Sequence, residues 1–296
     1  MIVVDWGTTN LRVFACSSDG TLLHRTQSTQ GIKTIPAGSY PAVLESMIKK
    51  LGVSSDQPIF VCGMAGARGG WLEAPYCQVP LALQDIAAHL TPLPDGLNGY
   101  LLPGAKAVTA NGTSDVMRGE EIQIFGGVSR LGIRDAVLCL PGTHSKWVRV
   151  RDGQIVDFAT FMTGDIFQAL SRTILACDAE ATHDPKAFGL GLGASAAGDY
   201  GLLHRLFSAR TRVLDNLLRP DQMSSYVSGL LLGHELAESA SFREPGEAIV
   251  LIGAETLCSR YLEALVFFGT ESILLESSEA ACAGVAALCQ LLQGTR

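Results

Sequence analysis

Ile2-Val3-Val4-Asp5-Trp6-Gly7-Thr8-Thr9-Asn10-Leu11-Arg12-Val13-Phe14 opens the chain and decides how its fold is read. Three β-branched residues deliver an acid, then a small hydroxylic turn, then a second strand-like run over residues 11–15. Asp19-Gly20 follows, and apolar runs broken by such dipeptides signal a hairpin. Gly7-Thr8-Thr9-Asn10 has no bulk, so backbone N–H groups and hydroxyls can crowd around a phosphate. Asp5, at the end of a buried strand, is the kind of acid that holds a metal ion through water.

The same device occurs again. Residues 136–140 form an apolar strand, Pro141-Gly142-Thr143-His144-Ser145-Lys146-Trp147 a second polar turn, Val148-Arg149-Val150-Arg151 an alternating strand, and Asp152-Gly153 turns it. Two hairpins of one build suggest two lobes facing one phosphate chain. A third buried strand, residues 248–252, ends in Gly253-Ala254-Glu255 before a helix over 256–269. That strand–glycine–helix corner offers a flat opening where a purine ring can lie against backbone.

Between these elements lie candidate chemical groups. Residues 41–52 have helical spacing, and the strand 59–62 empties into Gly63-Met64-Ala65-Gly66-Ala67-Arg68-Gly69-Gly70-Trp71. Glycines let a ligand approach the backbone there, and Arg68 can grip a carboxylate with two parallel hydrogen bonds. Residues 75–103 are punctuated by prolines, with a helix around 83–90 and a strand near 100–102. In Ser114-Asp115-Val116-Met117-Arg118-Gly119-Glu120-Glu121 the two glutamates begin a helical pattern, where the macrodipole favours carboxylates. They can equally present a general base beside Arg118. Asp165, after Thr163-Gly164, is a further candidate acid. Gly189-Leu190-Gly191-Leu192-Gly193 follows no strand and reads as a turn or helix cap rather than a dinucleotide fingerprint. Residues 201–240 are helical by spacing, with Arg205, Arg210 and Arg212 as a solvated face. A short strand over 273–276 and a small-residue helix over 280–292 end the pattern.

Composition excludes several classes. At 296 residues, 47% hydrophobic and 17% charged, the chain can bury one large core or two. A net charge of −7 argues against nucleic acid as a partner. No apolar run reaches the ~18 residues of a membrane span, and no export signal opens the chain. A cytoplasmic location follows, with the eight scattered cysteines read as buried free thiols.

Taken in order, the two hairpins, the Gly253 corner and the closing helix resemble the sugar kinase, heat-shock chaperone and actin superfamily. That resemblance implies an α/β, two-lobed actin-like ATPase (ribonuclease H-like) fold, each lobe a mixed sheet flanked by helices. Residues 1–118 plus 280–296 would form the N-terminal lobe, and 119–279 the C-terminal lobe. Six motifs narrow it: Asp5-Trp6-Gly7-Thr8-Thr9-Asn10-Leu11-Arg12, Gly63-Met64-Ala65-Gly66, Val116-Met117-Arg118-Gly119-Glu120-Glu121, residues 141–147, Phe161-Met162-Thr163-Gly164 and Ser228-Gly229-Leu230-Leu231. Together they resemble the 2-dehydro-3-deoxygalactonokinases over nearly the whole chain. The family resemblance implies transfer of a phosphoryl group from ATP, with Mg2+, to the C6 hydroxyl of 2-dehydro-3-deoxy-D-galactonate. The partner is then a small sugar acid, and self-association as a homodimer stays open.

On that footing Asp5 is assigned to the metal. Gly7, Thr8, Thr9 and Asn10, with Gly142, Thr143, His144 and Ser145, are assigned to the phosphates, and Gly253 to the adenosine. Arg12 or Lys146 would neutralise the moving charge, and Arg68 or Arg118, with Gly66 and Trp71, would hold the acceptor. Glu120 is the expected base, with Glu121 and Asp115 as rivals. The superfamily's second hairpin often carries an Asp near its start; Pro141-Gly142-Thr143-His144 stands there instead, which leaves Asp5 as the only hairpin acid for the metal. Two alternatives remain: a kinase of this fold with another sugar or sugar acid, and an acceptor-independent ATPase module.

Overall fold

The β-branched opening run forms β1 (Ile2–Trp6), antiparallel to β2 (Leu11–Cys16), which turns at residues 17–21 into β3 (Leu22–Ser28). Helix α1 (Tyr40–Leu51) then carries the chain back to β4 (Ile59–Gly63), parallel to β1. The register places Asp5 opposite Arg12 on one side and Cys62 on the other. Three short strands follow: β5 (Tyr76–Gln78), then after α2 (Leu83–Ala88) β6 (Thr91–Pro92) and β7 (Gly99–Leu101). Next come β8 (Gly104–Val108), β9 (Ser114–Met117) and α3 (Glu120–Leu131).

The second hairpin is β10 (Ala136–Leu140) and β11 (Ser145–Arg151), with β12 (Gln154–Phe161) after the Asp152-Gly153 turn. Asp152 and Gly153 both have positive φ, 51° and 75°, the requirement of a tight two-residue turn. Helices α4 (Thr163–Ala169), α5 (Pro185–Ser195), α6 (Leu202–Leu214) and α7 (Met223–Glu238) come next. The chain closes with β13 (Ile249–Gly253), α8 (Glu255–Phe267), β14 (Ser272–Glu276) and α9 (Ser277–Gly294). This computed structural model describes every residue except 55, 109–111, 176, 178–180, 198–199, 245 and 295–296, and the side chains of 173–174.

Two compact units result. Met1–Ala136, Val148–Phe158 and Leu275–Arg296 form the first; Val137–Trp147 and Ala159–Leu274 form the second. Helix α3 therefore belongs with the first hairpin, although the sequence reading puts residues 119–136 with the second. The first unit has a six-stranded sheet ordered β3-β2-β1-β4-β7-β6 and a small sheet ordered β5-β8-β9. Its core gathers Ile2, Val4 and Trp6 with Tyr40, Leu44 and Met47 of α1. Trp71 stacks on Tyr40, and both rings meet Trp6 edge-on. Helices α3 and α9 touch backbone to backbone, because Gly126 and Gly284 leave no room for a Cβ. Cys16 is joined to Cys282 by a disulfide, so these two are not the free thiols expected; the six other cysteines are free.

In the second unit β10 and β13 run parallel within a sheet ordered β12-β11-β10-β13-β14. Val137, Trp147, Ile249 and Leu251 pack against Phe188, Leu192 and Leu232. The glycine run at 189–193 is neither turn nor cap. It lies inside α5, where Gly191 and Gly229 let α5 and α7 approach closer than any Cβ would allow. Packing here overrides the low helix propensity of glycine. Arg205 is likewise no solvated residue: it is buried, and its Nη1 donates to the carbonyl of Ser195.

Candidate functional site

In the first unit the candidate chemistry lies at the C-terminal ends of the parallel strands β1 and β4, where open α/β sheets place their ligands. The carbonyls of Gly7, Thr8 and Thr9 accept from the N–H groups of Ile32 (3.0 Å), Lys33 (3.3 Å) and Gly31 (3.1 Å). The Gly7 N–H closes the turn itself, donating to the Asn10 carbonyl at 2.9 Å. Thr9 and Asn10 are exposed. Asp5, half-buried, receives Arg12 Nη1 at 3.0 Å on Oδ2.

Gly63 is the pivot. Its φ of 88° and ψ of −157° belong to a region that only glycine populates readily. A Cβ there would meet the Trp6 carbonyl at 2.8 Å and Asp5 Oδ1 at 3.3 Å; one on Gly119 would meet Gly63 Cα at 3.1 Å. Two bare backbones thus bring Asp5 beside the start of α3. The Cys62 thiol registers this cluster: burial pushes its pKa up, and the charges of Asp5, Glu121 and Glu120 push it further.

The two glutamates have different surroundings. Glu120 is half-buried, and its Oε2 accepts from the Arg118 N–H at 3.0 Å. Glu121 is fully buried, its two oxygens sharing the Gly119 N–H at 2.9 and 2.8 Å. Burial, with the Glu120 charge second, raises the Glu121 carboxyl to about 8, so it holds its proton at neutral pH. Arg118 is buried too. Its Nη2 donates to the Ala74 carbonyl at 2.9 Å, its guanidinium stacks 4.1 Å from the centre of the Tyr76 ring, and Nε and Nη1 have no hydrogen-bond partner among the described residues. A Cβ on Gly66 would press on that Nη1 at 2.9 Å. Arg68 is exposed, Trp71 half-buried, and Asp115 half-exposed on β9.

In the second unit the hairpin turn narrows to residues 141–144, since Ser145 already belongs to β11. Of the residues expected to meet phosphate, Gly142, Thr143 and His144 remain accessible. The Ser145 hydroxyl is buried 2.6 Å from the Tyr261 hydroxyl, and buried Lys146 donates to Thr160 Oγ1 at 2.7 Å. The start of α4 braces the turn: a Cβ on Gly164 would lie 2.8 Å from both the Gly142 carbonyl and Thr143 Cα. The Asp165 N–H donates to the Thr143 carbonyl at 3.2 Å, and Asp165 Oδ2 lies 2.6 Å from His144 Nε2. Asp165, 21 residues beyond His144 in the chain, thus brings a carboxylate to this turn.

Beside the turn is a cavity of about 330 Å3, walled by Gly142 and Gly164, by Ser224, Ser225 and Ser228 of α7, and by Thr256, Leu257, Arg260 and Tyr261 of α8. His183 also lines it, fixed 2.7 Å from Glu263. Gly253 leads into α8, pressed between Cys258 and Pro141, where a Cβ would meet Cys258 Sγ at 2.9 Å. Gly253 itself is buried and does not line the cavity; Thr256 and Leu257, in the first turn of α8, do.

Comparison with known proteins identifies this arrangement. The family model described as 2-keto-3-deoxy-galactonokinase matches residues 5–288. The chain belongs to that family. Among 2-keto-3-deoxy-galactonokinase relatives, a curated Escherichia coli (strain K12) protein named 2-dehydro-3-deoxygalactonokinase is 31% identical, over 96% of this chain and 95% of that one. A Rhizobium meliloti (strain 1021) protein, "Probable 2-dehydro-3-deoxygalactonokinase DgoK1", is 33% identical over 98% and 96%. A Sinorhizobium meliloti crystal structure carrying the same kinase name superposes with a TM-score of 0.87 at 32% identity, covering 98% of each chain. At 11% identity and a TM-score of 0.55, the activator of the 2-hydroxyisocaproyl-CoA dehydratase from Clostridium difficile shares the fold alone, over 100% of this chain and 96% of that one. The fold is that of the actin-like ATPases and sugar kinases.

Within this kinase family's chain, the sequence reading quoted Thr163, Gly164, Ser228 and Leu231 in its motifs without giving them a site role, and it missed Ser224, Ser225 and the α8 wall of the cavity. Ser224, Ser228, Leu231 and Glu235 recur at intervals of four, three and four along α7, and so lie on one face. Polar residues at that spacing inside a buried apolar helix were the available signal.

Proposed function

We propose that this protein is a 2-dehydro-3-deoxygalactonokinase, moving the γ-phosphoryl group of ATP to the C6 hydroxyl of 2-dehydro-3-deoxy-D-galactonate. The reading rests on family membership and on one structural observation above all: Asp5 and the first turn of α3 converge on Gly63. Phosphoryl transfer asks a protein mainly for positioning and charge stabilisation. The first unit would serve the metal, the phosphates and the acceptor, the second the nucleoside and the phosphates.

The donor chemistry at Asp5 fits Mg2+, a hard cation that takes one or two carboxylates and completes its shell with water and substrate phosphates. When bound, it would neutralise charge on the β- and γ-phosphates. Thr8, Thr9 and Asn10 offer N–H groups and side-chain donors to those phosphates, with Gly7 leaving room for their approach; Gly142, Thr143 and His144 do so from the second turn. Arg12, paired with Asp5, is placed to steady its carboxylate. Ser145 and Lys146 shape the second turn from behind rather than touching ligand. The cavity before α8 takes the adenosine.

The acceptor is a primary alcohol, too weakly acidic to ionise alone. Glu120 is the base, because Glu121 beside it holds its proton and is sealed from ligand. Arg68 with Trp71 and Gly66 receives the acceptor's carboxylate, and Arg118 supports that loop from within. A cytoplasmic location belongs to the same reading; no helix among the described residues is long and apolar enough to cross a membrane. Phosphorus–proton correlation NMR on the product tests the assignment: phosphate coupled to the C6 protons is expected. Phosphate on another carbon, or no phosphorylated acid, overturns it.

A further inference from the structure

Glu235 is a carboxylate that catalysis as described does not use, yet it is 97% buried and surrounded by donors. Trp147 Nε1 donates to it at 2.8 Å, and the Tyr261 hydroxyl lies 2.9 and 3.0 Å from its two oxygens. The side chains of Thr163 and Ser145 add hydrogen bonds, and the Ser145 and Tyr261 hydroxyls are themselves bonded. Burying such a group forfeits its hydration, a loss made good only when its hydrogen-bond partners are in place. An apolar side chain would suit the surrounding core of Leu232, Leu236 and Phe188 better.

The identity of the four partners gives the network its meaning. Ser145 and Trp147 begin β11, immediately after the Gly142–His144 turn. Thr163 is the first residue of α4, whose next two residues, Gly164 and Asp165, brace Thr143 and His144. Tyr261 stands on α8 and lines the cavity, as do Ser224 and Ser228 one face-repeat earlier on Glu235's own helix. A single carboxylate therefore ties the turn, the helix that braces it and two cavity walls to one point. We propose that Glu235 is a positioning residue that holds the second phosphate turn in register with the nucleoside cavity. The proposal rests on the reading of that cavity as the adenosine site.

The test separates nucleoside from phosphate. Adenosine, AMP, ADP and a non-hydrolysable ATP analogue are titrated calorimetrically into the protein, its Glu235→Gln variant and its Ser145→Ala variant. Gln keeps the shape but turns an amide NH2 toward a site built of donors. Ser145→Ala removes the hydroxyl that bonds Tyr261, at a residue that does not line the cavity. Adenosine should bind all three proteins within about twofold. ADP and the ATP analogue should bind Glu235→Gln about tenfold more weakly, the scale of one or two lost hydrogen bonds. Ser145→Ala should show the same pattern, about threefold. Equal loss for adenosine and ADP would reduce Glu235 to a wall of the cavity and overturn the proposal, as would no loss for either. A wild-type protein that binds none of the four removes the adenosine-site reading itself. If Glu235→Gln does not fold, Ser145→Ala and Trp147→Phe carry the same comparison.

Discussion

Glu121→Gln should make the protein's stability less dependent on pH. In the folded state Glu121 takes up its proton near pH 8, against 4.5 for an ordinary glutamate. The folded protein therefore holds a proton that the unfolded chain has released anywhere between those values. For a carboxyl raised in this way, the stabilisation is complete below 4.5 and is lost as pH rises through 8. One proton of difference is worth about 1.36 kcal/mol per pH unit, so the full interval carries a ceiling of about 5 kcal/mol. Gln keeps an oxygen for the Gly119 N–H and has no proton to lose, which adds only a pH-independent offset. Urea unfolding of both proteins at pH 5, 6, 7 and 8 reads the difference directly. Other titrations, including the half-buried His234 whose pKa is lowered by desolvation and by Arg205, cancel between the two. Wild type should lose about 2–4 kcal/mol relative to the variant from pH 5 to 8. Parallel pH profiles would refute a protonated Glu121, and with it the argument that leaves Glu120 as the base.

Three substitutions test neighbouring claims. Glu120→Gln should lower kcat by about 100-fold or more, the usual yield of a positioned base, while KM for ATP stays within about threefold in steady-state assays; near-normal kcat would move the base elsewhere. Gly63→Ala forces a Cβ against the Trp6 carbonyl in a glycine-only conformation and should cost about 1–3 kcal/mol from backbone strain alone, read as a lower denaturant midpoint, together with weaker Mg2+ dependence of turnover through Asp5. Gly191→Ala drives a methyl into the Tyr226 carbonyl across the α5–α7 contact. It should destabilise by about 1–3 kcal/mol and leave KM for the acceptor unchanged.

The hairpins were legible because strand, turn and acid all sit within a dozen residues of one another, where β-branched runs and Asp-Gly pairs speak for themselves. Asp5, Gly63 and Glu120 were each visible, but their meeting was not. It depends on two glycines 56 residues apart touching through bare backbone. The small β5-β8-β9 sheet escaped notice because Tyr76–Gln78 is only three residues long and exposes two of them. The 189–193 run misled because glycine's local cost is repaid by a partner helix that begins 30 residues later. Asp165 and Glu235 act through neighbours that no spacing rule connects: His144 lies 21 residues from the first and Trp147 88 from the second. The Cys16–Cys282 pairing spans 266 residues and leaves no local trace.

ADP release by the purified protein with ATP and Mg2+ tests the central claim most directly. One arm has no acceptor; the others have 2-dehydro-3-deoxygalactonate, its gluconate epimer or glucose. Fast release with the galactonate acid, and slow release in every other arm, is the result the account predicts. Release at the same rate in all four arms would make this an acceptor-independent ATPase and contradict it.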